Sequence, residues 1–310
     1  MTRRRLLATT ASPLLAQARR PRNILLLIAD DLGLNVGAYG DPNARTPHLD
    51  RLASEGVRFT NAFCTTASCS PSRSVILSGL QTHANGQYGL AHASHNFNPL
   101  PRIRFTPDLL RAAGYRTGVI AKLHVNPLND FAWDLKALTD NGRNGRRMAD
   151  TARSFIQSDP GKPFYLHVGY TDPHRAGRGF GNQDYPGLTR QRFDAAGLKV
   201  PPFLPDNPAV RADVAEYYES VHRFDQGIGM MMDVLRETGQ LDNTLVVCLS
   251  DNGMPFANAK TNCYDAGIHL PMIVRHPQQA RRGLVNNAMV SWTDLVPAFL
   301  DWSGASGPQY

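Results

Sequence analysis

Apolar residues run almost unbroken through five short stretches of the chain. They are Asn23–Ala29 (NILLLIA), Thr117–Ala121 (TGVIA), Phe164–Gly169 (FYLHVG), Thr244–Leu249 (TLVVCL) and Pro271–Arg275 (PMIVR). Apolar runs of this length predict strands buried on both faces, as in a parallel sheet sandwiched by helices. Between them the apolar positions return at helical spacing, predicting helices over Pro47–Glu55, Pro71–Ser78, Pro107–Ala113, Arg146–Ser158, Ala209–Thr238 and Thr293–Trp302. Met230–Met232 falls inside one of these helices and is expected in the core. The alternation predicts an α/β fold with a mostly parallel central sheet and helices on both faces. Gly177–Pro208 is rich in Gly, Pro and Asp and is expected to be a long functional loop.

Polar residues follow the strands in a consistent way. Asp30-Asp31, Lys122 and His124, Asp172 and His174, and Ser250-Asp251-Asn252 each come directly after an apolar run. In open α/β sheets ligands bind beyond the carboxyl ends of the strands, so these groups are expected along one edge. Asp30, Asp31, Asp251 and Asn252 make an all-oxygen donor set, suited to Ca²⁺ or Mg²⁺. Without a cation, converging carboxylates repel and one stays protonated. Either pair alone could instead cap a turn or helix. Cys69-Ser70-Pro71-Ser72-Arg73 places a cysteine beside a helix start, with Ser70 expected as its cap and Cys69 just outside it. A helix N-terminus with the Arg73 fork favours an anion.

Composition narrows the class. With 310 residues, 42% hydrophobic and 19% charged, the chain is neither disordered nor a disulfide scaffold, and no apolar run reaches the ~20 residues of a membrane span. The net charge of +7 includes Arg3, Arg4 and Arg5. These open a segment, Met1–Ala18, that reads as a secretory signal with an A-x-A site and a twin-arginine flavour. Its loss leaves 30 basic and 26 acidic residues, a net +4 over 19–310 that suits an anionic substrate. An exported, periplasmic protein is expected. Cys248 is expected in a buried strand, and Cys64 and Cys263 could pair in an oxidising compartment. No phosphate-binding or dinucleotide glycine motif occurs, and no dense basic stripe points to nucleic acid.

On these residues the chain resembles the sulfatase family, from about Arg22 to Trp302. Its fold is the alkaline-phosphatase-like large domain. The resemblance implies that Cys69 is oxidised to Cα-formylglycine by a maturation enzyme and that Arg73 supports it. Asp30, Asp31, Asp251 and Asn252, with position 69, would hold the metal. It further implies that Lys122, His174 and Lys260 bind sulfate. His124 would take a proton from the formylglycine hydrate, and His174 or Lys260 would give one to the leaving group. His95 is implied as a substrate contact; His92 and the remaining histidines receive no role.

Stretches such as Asn85–Leu90, His95–Asn98, Val200–Gly229 and Asp251–Phe256 resemble the sulfamidase branch, implying N-sulfoglucosamine of heparan-type glycans as substrate. Lys260 departs from that branch, which has arginine there, so N-sulfate and O-sulfate both stay open. The family's small C-terminal domain is expected to be missing or truncated, with apolar surface exposed where it docks. Expected partners are a sulfated saccharide and the maturation enzyme, with a homodimer also allowed. The alternatives are a phosphate or phosphonate monoester hydrolase of the same superfamily, and a non-catalytic anion- or glycan-binding homologue.

Overall fold

Seven consecutive buried residues, Asn23–Ala29, form strand β1 at the middle of an eight-stranded sheet. The computed structural model describes residues 22–126, 131–139 and 142–308. The expected signal segment, Met1–Ala18, lies outside the described residues. The other strands are β2 (Val57–Phe63), β3 (Arg116–Ala121), β4 (Leu135–Leu138), β5 (Phe164–Gly169), β6 (Thr244–Ser250), β7 (Met272–Arg275) and β8 (Leu284–Ser291). The helices are α1 (Pro47–Glu55), α2 (Cys69–Ser78), α3 (Thr82–Asn85), α4 (Thr106–Ala112), α5 (Gly145–Ser158), α6 (Pro208–Glu237), α7 (Asp265–Ile268) and α8 (Leu295–Ser303).

The strands lie in the order β4-β3-β5-β1-β6-β7-β2-β8. All pairs are parallel except those of β7, which runs against both β6 and β2. The chain returns from β6 to β7 through a loop and the single turn of α7 rather than a full crossover helix. An adjacent strand reached that way runs back antiparallel. Three strands escape the sequence pattern for one reason. β2, β4 and β8 are only partly buried, so their residues are polar at many positions and form no continuous apolar run. At the sheet's edge, β8 leaves Val285 and Met289 exposed.

Side chains of β1 alternate between two cores. Leu25, Leu27 and Ala29 pack with Leu49 and Leu52 of α1, Phe155 and Ile156 of α5, and Phe224, Ile228 and Met231 of α6. Ile24, Leu26 and Ile28 pack with Val75 and Leu77 of α2, Leu110 of α4, and Phe299 and Leu300 of α8. Each such side chain contributes roughly 1.5–3 kcal/mol when fully buried. The cores therefore clamp β1 from both faces and fix where its last residues point. The expected 177–208 loop is irregular apart from a short 3-10 turn at Ala195–Gly197. Cys248 is buried in β6 as expected, but Cys64 and Cys263 are both free; the former is buried and the latter exposed.

Candidate active site

Strand ends supply most of the site. Asp30 and Asp31 follow β1 and are wholly buried, and Asp31 adopts a left-handed backbone (φ 71°) that turns the chain sharply off the sheet. Asp251 and Asn252 follow β6, the parallel neighbour of β1, and the Asp251 amide donates to the Ala29 carbonyl (3.1 Å). Lys122 and His124 follow β3, and His174 follows β5. The backbone of β5 closes so tightly on that of Lys122 that a Cβ on Gly169 would lie 1.9 Å from the Lys122 carbonyl oxygen, so only glycine fits.

Helix α2 brings Cys69 in from the other side of this edge. The helix begins two residues earlier than the sequence suggests: Ser68 is its N-cap, and Cys69 lies inside the first turn. Ser70 is therefore not the cap; its hydroxyl accepts from the Ala91 amide instead (3.0 Å). Cys69 Sγ sits 3.4 Å from Asp30 Oδ1 and 3.2 Å from Lys260 Nζ. Ligand atoms of Asp30, Asp31, Cys69 and His174 all lie within 4.8 Å of one another.

Three positive groups surround these carboxylates. Lys122 pairs with Asp30, and Lys260 Nζ with Asp31 Oδ1 (2.7 Å). Arg73 is fully buried, donating through Nε to Asp251 Oδ2 (2.8 Å) and through Nη1 to the Lys122 carbonyl (3.3 Å). The Arg73 fork thus meets a carboxylate rather than open space for an anion. Burial alone would raise the Asp30 pKa. The charges of Lys122, His174, Arg73 and Lys260 outweigh it and hold Asp30 well below the usual carboxylate range. Burial likewise opposes the charge on Lys260, yet Asp31, Cys69 and Asp30 hold that ammonium firmly protonated. Burial and the nearby Asp30 push the Cys69 thiol up, so as a cysteine it is a neutral thiol. His124 falls to about 3 through burial and the charges of Lys122 and Arg73.

The oxygen donors fit a hard divalent cation. Asn252 donates its Nδ2 to Asp31 Oδ1 (2.8 Å), which turns its Oδ1 inward, buried and without a hydrogen-bond partner among the described residues. Burial, with Asp30 and Asp31 close by, lifts Asp251 to about 7 despite Arg73, the mark of a carboxylate group short of positive charge. Asp251 differs from the expected plain ligand. Its Oδ1 already accepts from the amides of Asp31 (3.1 Å) and Asn252 (2.8 Å), and its Oδ2 from Arg73.

His95 lies exposed in the loop after α3, outside the cluster. Sequence reading also missed two groups. His92 touches His124 ring to ring, with Nδ1 2.7 Å from Nε2. Asp172 faces away from the cluster to Arg143, Arg223 and Ser220, and Arg143 also donates to the His174 carbonyl (2.9 Å). No strand end or motif marks Arg143 or Arg223. Only the fold brings them to the loop that carries His174.

The model of the Sulfatase family matches residues 22–305. This chain is a sulfatase-family member. It is 42% identical over 313 residues to N-sulphoglucosamine sulphohydrolase of Homo sapiens, covering 94% of this chain and 62% of that protein's length. Among solved structures, the family fold recurs in a protein captured with its substrate D-glucosamine-2-N,6-O-disulfate (22% identity, TM-score 0.74, 93% of this chain and 78% of that one). It recurs too in the phosphonate monoester hydrolase of Silicibacter pomeroyi (20% identity, TM-score 0.76, 93% and 74%). This sulfatase-family chain therefore spans under two thirds of the human relative, and the matched residues include the sheet and the edge that carries Cys69. No helix among the described residues is long and apolar enough to cross a membrane.

Proposed function

We propose that this chain carries the catalytic part of an exported sulfatase that removes sulfate from a sulfated aminosugar, with N-sulfoglucosamine of heparan-type glycans as the leading substrate. The observation that carries this reading is the position of Cys69. It stands at the head of α2, within 3.4 Å of Asp30 and 3.2 Å of Lys260, inside a ring of buried carboxylates and cations. A neutral, buried thiol is a poor nucleophile, which supports a cysteine that works only after conversion to formylglycine. When present, that group supplies an oxygen nucleophile that can later release its sulfate. Asp30, Asp31, Asp251 and Asn252 would hold Ca²⁺ or Mg²⁺, which supplies positive charge beside position 69 and the sulfate oxygens. A maturation enzyme, export to the periplasm and a homodimer belong to the same reading.

The chain's own side chains then divide the work. Lys122 and Lys260, with Arg73 behind them, offset the negative sulfate oxygens and the charge that builds on the leaving atom. His124, neutral across the working pH range, accepts a proton. His174 Nδ1–H donates to the Arg175 carbonyl (2.5 Å) and Nε2 lies 3.9 Å from Asp31 Oδ2, so its imidazolium form would give the leaving oxygen or nitrogen a proton from Nε2. The cavity beside Asp31, His174 and Lys260 measures about 560 Å³, within the size range of small-molecule sites, and is walled by Arg175, Phe256 and Thr261.

The test is mass spectrometry of the peptide containing Cys69, from protein made in its native host, paired with assays on three substrates. These are glucosamine 2-N-sulfate, glucosamine 6-O-sulfate and a phosphonate monoester. Aldehyde in place of thiol, with sulfate released from the N-sulfate, is expected. Release from the 6-O-sulfate alone would move the substrate to O-sulfated sugars. Intact thiol throughout, or turnover of the phosphonate alone, would overturn the reading.

A further inference from the structure

The loop between α3 and α4 passes over the head of α2 and is pinned at Ala91. The Ala91 amide donates to Ser70 Oγ (3.0 Å), and its carbonyl accepts from Asn126 Nδ2 (2.6 Å). This holds the exposed side chain of His92 against His124. His92 Nδ1 and His124 Nε2 are 2.7 Å apart, the ring planes differ by 11°, and the centroids are 4.8 Å apart. With nitrogens so close and centroids so far apart, the rings meet edge to edge, joined by a hydrogen bond.

Two neutral arrangements satisfy that bond. In the first, His92 Nδ1–H donates to His124 Nε2, and the His124 proton sits on Nδ1. That nitrogen is buried and has no hydrogen-bond partner among the described residues. In the second, His124 Nε2–H donates to His92 Nδ1, and His124 Nδ1 keeps a bare lone pair. A buried N–H without an acceptor is rarer and costlier than an acceptor left unfilled.

We propose that His92 is a positioning residue that accepts from His124 Nε2–H and holds that ring in place, with Nδ1 left unprotonated as the proton-accepting nitrogen of the site. A histidine's orienting partner is commonly a carboxylate or backbone carbonyl; here it is a second imidazole from a surface loop. The inference rests on the proposed sulfatase role of His124, but the tautomer can be read without turnover.

The test is side-chain ¹⁵N NMR of the histidines in the full chain with Cys69 as translated, using His124→Asn to assign the signals. In the unsubstituted protein, His124 is expected to carry its proton on Nε2. His92→Gln, whose amide oxygen can still accept, keeps that state. His92→Ala, in which water takes over the Nε2–H, keeps it too, whereas His92→Phe covers Nε2 with an apolar ring and gives a mixture. In enzyme with position 69 converted, the Ala and Phe variants lose roughly 10- to 100-fold in kcat with KM little changed, and His92→Gln recovers most of it. A proton on Nδ1 in the unsubstituted protein, an unchanged tautomer in His92→Phe, or a kcat loss that Gln does not rescue would each overturn the proposal. If the converted enzyme releases no sulfate at all, the sulfatase reading fails, and the nitrogen signals still decide the tautomer.

Discussion

Lys260 Nζ lies 2.7 and 2.9 Å from the two carboxylate oxygens of Asp31, although 229 positions separate the residues in sequence. The same ammonium reaches Cys69, so one lysine ties the loop after β6 to both the end of β1 and the head of α2. Removing it takes away a positive group aimed at the reacting centre. Lys260→Ala is expected to cut sulfate release by roughly 100-fold or more. Lys260→Arg should retain most of the rate, because the charge is kept. Steady-state kinetics on the N-sulfated and 6-O-sulfated sugars check this, and equal rates for the Ala variant and the parent would remove Lys260 from the site.

Cation binding can be measured without turnover. Thermal melts with added Ca²⁺ or Mg²⁺ should shift upward, by about 2.7 kcal/mol of stability at a hundred times the dissociation constant. Asp31→Asn should abolish the shift while leaving the fold intact. Chelator-treated protein that melts identically with and without either ion contradicts the proposed metal role of Asp30, Asp31, Asp251 and Asn252.

A second histidine governs acid stability. His167 is fully buried in β5, and burial together with the Arg73 charge lowers its pKa to about 3. Between the ordinary histidine value of about 6.5 and that level, the unfolded chain binds a proton that the folded chain does not, so stability falls as pH falls through this window. His167→Leu removes the penalty. Unfolding by urea, followed by circular dichroism from pH 7 to 4, should show a shallower loss for the variant. Parallel curves for variant and parent would show that His167 does not set the slope.

Asp172 binds two buried arginines, Arg143 and Arg223, and a serine hydroxyl, and this arrangement anchors the segment bearing His174. Arg223→Met leaves the carboxylate underpaired and should cost about 3–5 kcal/mol in urea unfolding. Arg153→Met, at an exposed pair with Glu237, is the control and should change little. Equal midpoints for the two variants would argue against a structural role for the Asp172 group.

Much of this was legible before any coordinates. β1, β5 and β6 are buried on both faces, so their sequences are apolar throughout and their positions stand out. The acidic and basic residues just beyond them are legible for the same reason, since a parallel sheet delivers its strand ends to one edge. What the sequence hides is whatever depends on partial burial or on distant partners. β2, β4 and β8 carry mixed residues at the sheet's margins. Ser68, rather than Ser70, heads α2 because the chain enters the helix two residues earlier than the proline suggests. His92 sits in a loop with no periodic signal, and its link to His124 exists only once Ala91 is pinned to α2. Arg143 and Arg223 lie far from Asp172 in sequence, and nothing local marks them as its counter-charges.

The place of β1 has a further consequence during synthesis. The first strand of the described residues lies at the centre of the sheet, and both of its neighbours come late: β5 begins at Phe164 and β6 at Thr244. Asn23–Ala29 is therefore an apolar strand with two open edges until β5 follows about 135 residues later, and its second edge stays open until β6, about 215 residues later. Such distant pairing makes assembly slow and leaves the nascent chain open to aggregation. Production of this protein therefore depends on shielding one seven-residue segment through the long wait for its partners.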